Sequence, residues 1–322
     1  MRNRWTTLAF AALATLATAS LARAGQVRVN VATNLFSPAA ASANLGDHVV
    51  WVWTGGAHTV TSGDFSSVAD LVDGDGHFNS SPTGQAPAGA TFSWKVDFTG
   101  TEPYYCQPHI PEMAGTLALA ASGATGLSDF RITEVQFNAP GSFDLIEIAN
   151  LGAAGNLGMY RLSVNGGAAQ VLKKAGATAA GTNLFVPAGG RVILRCNAPG
   201  TTSDTVVYLP AVTDLPANGS VALYVPNTIS TSLALANQML DFVQWGAGGQ
   251  GNEATAQAAG FWAAGAAITD VAAGHSIEFC GQPGQYGAAQ WHEISTPNFG
   301  GDGNCATPTF STTWGRIKTL YR

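Results

Sequence analysis

The sequence predicts an all-β protein built from two sandwiches. Alternation is the first observation. Val27, Val29 and Val31 alternate with Arg28 and Asn30, and Phe92, Trp94, Val96 and Phe98 alternate with Thr91, Ser93, Lys95 and Asp97. A period of two means strands with one buried and one wet face. Punctuation is the second: short apolar runs are separated by clusters drawn from 39 Gly, 15 Pro and neighbouring Asn and Asp, the pattern of a sandwich or barrel. Length is the third, since 322 residues correspond to about two domains at roughly 150 residues each.

Composition narrows the function classes. Charged residues make up 11% and the net charge is −6, against about 25% charged in an ordinary domain. No stretch is strongly basic, which argues against a nucleic-acid binder driven by phosphate contacts. Beyond the N-terminus no run of about 18 apolar residues occurs, which argues against a polytopic membrane protein. Hydrophobic residues at 46% exclude a disordered chain.

Residues 1–24 read as a secretory signal. Arg2 and Arg4 supply the positive start, Trp5 to Ala19 a short apolar core, and Ala22-Arg-Ala24 a cleavage site before Gly25. The alternative is a buried N-terminal helix. Export places the mature chain in the periplasm, on the cell surface or outside the cell, where disulfides persist. The first block then runs over 25–120. His48 to Trp53 is apolar on both faces, as a central strand would be. Residues 121–127 are small and flexible and make a linker. A second block covers 128–305, with strands expected at Phe130–Phe137, Leu145–Ala149, Arg191–Cys196, Val206–Leu209, Val221–Val225, Leu240–Trp245 and Ser276–Cys280. Glu253–Ala264 is its one helix-like stretch, and Gly152–Gly158 and Gly246–Gly251 read as loops. Residues 306–322 form a linker and a basic amphipathic tail, with Trp314, Ile317, Leu320 and Tyr321 at helical spacing. This is either a docking, sorting or anchoring element or a last turn packed on its own domain.

The chemistry is concentrated in Tyr104-Tyr-Cys-Gln-Pro-His-Ile-Pro-Glu-Met-Ala-Gly-Thr-Leu117. Cys106, His109 and Met113 offer a thiolate, an imidazole and a thioether within eight residues. Soft sulfur and nitrogen donors suit copper, and two histidines with one cysteine and a weak axial methionine make an electron-transfer copper geometry. His58, in the turn after the His48–Trp53 strand, offers the second imidazole. Zinc ranks below copper because it prefers His and Cys without a thioether. Here the chain resembles the cupredoxins of the plastocyanin, pseudoazurin and halocyanin type over Gln26 to Leu119. The resemblance rests on the VVWVW…H-x-V strand, the Ala88–Trp94 segment and the Tyr-Tyr-Cys-x-Pro-His…Met-x-Gly hairpin. It implies a Greek-key β-sandwich, one copper per chain, and His58, Cys106, His109 and axial Met113 as ligands. Three residues separate His109 from Met113, a departure from the commonest family spacing, and Glu112 is an alternative axial donor. Ala57, Pro108, Ile110, Pro111 and Met113 would form an apolar rim around His109 where redox partner proteins dock.

Six histidines without a His-x-His pair allow one mononuclear site, and no hydrolase motif occurs, so an enzyme is not expected. The expected role is a blue (type 1) copper protein carrying single electrons. The alternatives are a surface, adhesion or copper-storage protein with a structural or reserve copper, and a copper-delivery protein. His77 lies in Asp73-Gly-Asp-Gly-His-Phe-Asn79. This is a plain loop rather than a calcium loop, because Phe78 stands where glycine is needed and no bidentate Glu follows. His48, His275 and His292 read as structural or exposed, and Trp51, Trp53, Trp94, Tyr104 and Tyr105 as core.

In the second block, Phe130–Phe137, Phe143–Leu151, Asp241–Gly246 and Thr296-Pro297 resemble the strands of a lamin-tail domain. That resemblance implies an immunoglobulin-like sandwich used for attachment or partner binding, with no defined site. Cys196 shares a face with Val192 and Leu194 and reads as a buried free thiol. Cys280 falls opposite Ile277 and Phe279, free to pair with Cys305 in a bridge worth roughly 3 kcal/mol.

Overall fold

Among the described residues, the period-two pattern of the first block becomes ten strands. They are β1 (Gln26–Ala32), β2 (Leu35–Ser37), β3 (Ala40–Asn44), β4 (His48–Trp53), β5 (Ala57–His58), β6 (Thr61–Ser62), β7 (Ala86–Pro87), β8 (Thr91–Lys95), β9 (Gly100–Tyr105) and β10 (Ala114–Ala120). The computed structural model describes residues 25–64, 74–80, 84–137, 143–174, 184–282, 284–301 and 303. The expected leader, the basic tail and Cys305 lie outside the described residues. Among the described residues no helix is long and apolar enough to cross a membrane.

One sheet of the first sandwich has the order β2-β1-β4-β8 and the other β3-β10-β9-β6. β1 runs parallel to β4, with Val29 opposite Trp51, and β3 runs parallel to β10. The inward residues Val29, Val31, Val49, Trp51, Trp53, Tyr104 and Leu117 form one core. Trp51 is its hub, 5.0 Å from the Phe78 ring, 5.6 Å from Tyr104 and 5.7 Å from Phe92.

Among the described residues the second block has twelve strands: β11 (Phe130–Gln136), β12 (Leu145–Asn150), β13 (Gly155–Asn156), β14 (Arg161–Val164), β15 (Gln170–Val171), β16 (Phe185–Val186), β17 (Arg191–Cys196), β18 (Val206–Leu209), β19 (Gly219–Tyr224), β20 (Met239–Trp245), β21 (Ser276–Phe279) and β22 (Trp291–Ile294). A sheet of order β18-β17-β12-β11-β21-β22 faces one of order β15-β14-β19-β20. A separate core of Phe130, Ile146, Leu194, Val221, Phe242, Trp245 and their neighbours lies between them. Cys196 is buried and free, as expected, and Cys280 is disulfide-bonded.

Three local expectations need correction. The helix is shorter than Glu253–Ala264 and ends at Ala258. Gly260 adopts φ +78°, a left-handed stop, after which Phe261 and Trp262 turn into the core. The Gly152–Gly158 segment contains a short strand, β13, paired with β16. The third correction concerns β8, whose Thr91 and Ser93 were expected to be wet. Both are buried because that face carries the second sandwich. Ser93 Oγ donates to Pro226 O at 2.5 Å. The Thr91 N–H donates to Thr228 Oγ1 at 2.8 Å, and the Thr228 N–H returns to Thr91 Oγ1 at 3.0 Å. The same contact explains why β4 is apolar on both faces. Val49, Trp51 and Trp53 enter the first core. His48, Val50 and Val52 point the other way and are equally buried, with His48 Nε2 2.9 Å from Asn237 O. Gln26 and Ser128 exchange backbone hydrogen bonds beside the linker. The linker itself is exposed for most of its length.

Candidate metal centre

Two strand ends and one tight turn bring the candidate ligands together. β4 stops at Trp53, and Gly55-Gly56 reverses the chain into β5, which carries His58. Trp53 Nε1 donates to His58 O at 3.0 Å and holds this turn against the core. Gly56 adopts φ +72°, and a Cβ there would meet His58 Nε2 at 2.2 Å. Glycine is therefore required for the backbone conformation and for the space the imidazole occupies.

β9 ends at Tyr105, and Cys106 begins the opposite turn. The His109 N–H donates to Cys106 O at 3.0 Å, the Met113 N–H to His109 O at 2.8 Å, and the Cys106 N–H to Met113 O at 3.0 Å. These bonds close the Cys106–Met113 hairpin before β10 departs. The three-residue spacing between His109 and Met113 thus fits one closed turn. Met113 is buried with Cys106 in the first core.

His58 Nδ1 lies 3.2 Å from His109 Nδ1 and 3.7 Å from Cys106 Sγ, and His109 Nδ1 lies 3.3 Å from the same sulfur. The centre of a triangle with these edges is about 2 Å from each corner, a metal–ligand bond length. His58 and Cys106 are buried, and His109 is half-exposed. Burial, reinforced by the neighbouring His109, lowers the His58 pKa. Burial also pushes the Cys106 thiol up, opposed by hydrogen bonds from Thr59 and the His109 backbone. Three donor atoms thus converge on one point, the arrangement a cation would fill.

The sequence reading missed Thr59. Its N–H lies 3.3 Å from Cys106 Sγ, and its hydroxyl accepts the Gln107 N–H at 2.8 Å. Its place directly after His58 was the available signal. Of the rim residues, Ala57, Pro108 and Pro111 are exposed and Ile110 is half-exposed. Met113, expected in that rim, is instead 1% exposed, because its side chain packs into the core of the first sandwich. Glu112 is exposed, as befits a residue on the outer side of the turn.

Residues 24–120 match the family of copper binding proteins, plastocyanin/azurin family. The first sandwich is a cupredoxin-type domain. Among solved structures, this chain is similar to a novel purple cupredoxin from Nitrosopumilus maritimus, at 18% identity over 29% of this chain and 98% of the other, with a TM-score of 0.24. It is also similar to a reduced Cu(I) form of an amicyanin variant, at 23% identity over 30% of this chain and 82% of that one, with a TM-score of 0.24. No curated protein matches the chain. Copper is the cofactor that the cupredoxin domain and its donor set support, and the domain is of the blue copper electron-carrier kind.

Proposed function

We propose that this chain is an exported one-electron carrier. His58 Nδ1, Cys106 Sγ and His109 Nδ1 would hold one copper, and Met113 would supply a thioether as the weaker fourth donor. The observation that carries this reading is the triangle of those three atoms, with edges of 3.2, 3.3 and 3.7 Å. Bound copper supplies a one-electron couple. The chain's own residues do the rest. Trp53 holds the His58 backbone, and Gly56 leaves room for its ring. The Thr59 N–H stabilises charge on the sulfur. Buried Met113 and the surrounding aromatic core keep water from the inner side. Half-exposed His109, flanked by Ala57, Pro108, Ile110 and Pro111, is the edge on which redox partner proteins dock.

The second sandwich is a lamin-tail-like module over 128–305 for attachment or partner binding, closed by a Cys280–Cys305 bridge. Its contacts through Pro226, Thr228 and Asn237 cover the β4–β8 face and leave the His109 rim free. The test is an optical and EPR spectrum of residues 25–322 after adding Cu(II). An intense thiolate band with a narrow copper hyperfine splitting is expected, and Cys106→Ser should abolish it. A colourless site would overturn the electron-carrier reading and favour a surface protein with a reserve copper.

A further inference from the structure

A second cluster of donor atoms lies in the cupredoxin domain away from the first. Glu102 sits on β9, four residues before Cys106, hence about 13 Å along the strand at roughly 3.3 Å per residue. Its side chain is 3% exposed. Glu102 Oε1 accepts the Gly63 N–H at 3.1 Å, and Oε2 faces His77 Nδ1 at 3.0 Å. The same His77 Nδ1 lies 3.4 Å from Asp75 Oδ2. One ligand atom from each of Asp75, His77 and Glu102 lies within 4.8 Å of the others.

The arrangement is over-supplied with acceptors. An imidazole Nδ1 carries at most one proton and satisfies one oxygen, yet two carboxylates converge on it. The carboxylates also contact each other, and the buried Glu102 is pushed up to about 7 by burial and by Asp75. Two carboxylates in contact, one of them fully buried, need a shared proton or a cation between them. The imidazole is already aimed. The His77 ring packs on Phe98 at 4.2 Å between centroids, and the Asp75 carboxylate is fixed by the His77 N–H at 3.2 Å and by Ser62.

We propose that Asp75, His77 and Glu102 form a second metal site, distinct from the copper ligands, that takes Zn²⁺. One imidazole nitrogen with two carboxylate oxygens is a zinc donor set that leaves a fourth position for water. Calcium and magnesium ask for an all-oxygen shell of six or more ligands. The absence of sulfur separates this site from the softer one around Cys106. Bound there, the ion would tie the 74–80 loop to β9, the strand that leads into Cys106.

The test uses residues 25–322 loaded with one equivalent of copper, then titrated with Zn²⁺ and counted by elemental analysis after desalting. One zinc per chain in addition to the retained copper is expected. His77→Ala, a change in an exposed loop residue, should weaken the zinc at least about 100-fold, because removing a ligand costs more than removing an outer partner. Glu102→Gln should do the same without altering shape. The copper count should stay at one in both variants. No saturable zinc beyond the copper would overturn the proposal. So would zinc that only displaces copper, or a second zinc held equally well by His77→Ala. Should Glu102→Gln fail to fold, Asp75→Asn replaces it, with the same weakening expected.

Discussion

The Thr59 N–H lies 3.3 Å from Cys106 Sγ, while the Thr59 hydroxyl accepts the Gln107 N–H at 2.8 Å on the far side of the same cysteine. One residue therefore holds both the sulfur and the turn that follows it. Thr59→Val keeps the shape and the backbone donor but orphans the Gln107 N–H. We expect a loss of roughly 1–3 kcal/mol in denaturant unfolding. The looser sulfur environment should also lower the copper potential, because hydrogen bonding around the sulfur withdraws charge from it. An unchanged potential would show that the hydroxyl serves the turn alone.

Met113→Leu tests the axial assignment. The side chain is buried, and leucine conserves its volume, so the fold should survive at a cost below about 1.5 kcal/mol. Copper should remain bound with a higher potential, since a donor to Cu(II) has gone. Voltammetry reads the shift, and no shift would remove Met113 from the axial role.

Gly56→Ala separates a steric from an electronic requirement. The new Cβ would meet His58 Nε2 at 2.2 Å in a backbone with φ +72°. The strained conformation should cost about 1–2 kcal/mol. Displacing His58 should weaken copper binding more than it weakens the fold. Isothermal titration alongside thermal melts compares the two; equal losses would mean that the ring had simply moved aside.

His48 should make the junction of the two sandwiches sensitive to acid. Burial lowers its pKa to about 4, below the usual value near 6.5. The folded chain therefore holds the neutral imidazole, and the unfolded chain takes up the proton first. Stability is complete above about pH 6.5 and falls as pH drops toward 4, by roughly 3 kcal/mol at about 1.4 kcal/mol per unit. Melting temperatures between pH 7.5 and 4 should show this loss. His48→Gln, which does not titrate there, should flatten that part of the profile. A parallel slope in both proteins would assign the acid loss to other groups.

Much of the architecture was legible because sandwich strands are written in local alternation. Val27-Val29-Val31 and the run around Trp94 needed no partner to reveal their faces. Cys106, His109 and Met113 were legible for a similar reason, since one turn of chain carries them all. His58 required a matching strand before it, and β4 supplied one. The 74–80 loop gave no comparable sign. His77 meets Glu102 across 25 residues of sequence, so the loop around His77 read by itself as a plain loop.

Sequence by itself determined the strands that alternate clearly and the soft donor set, because each depends on neighbours within a few residues. Tertiary structure decided which outward faces stay wet. Thr91 and Ser93 alternate like solvent-facing residues, yet Thr228 and Pro226 cover them. It also decided which backbone donor reaches the sulfur and which carboxylate finds an imidazole. Hydrogen bonds and burial act over a few ångströms of space, whatever the distance along the chain, and only the folded chain sets those separations.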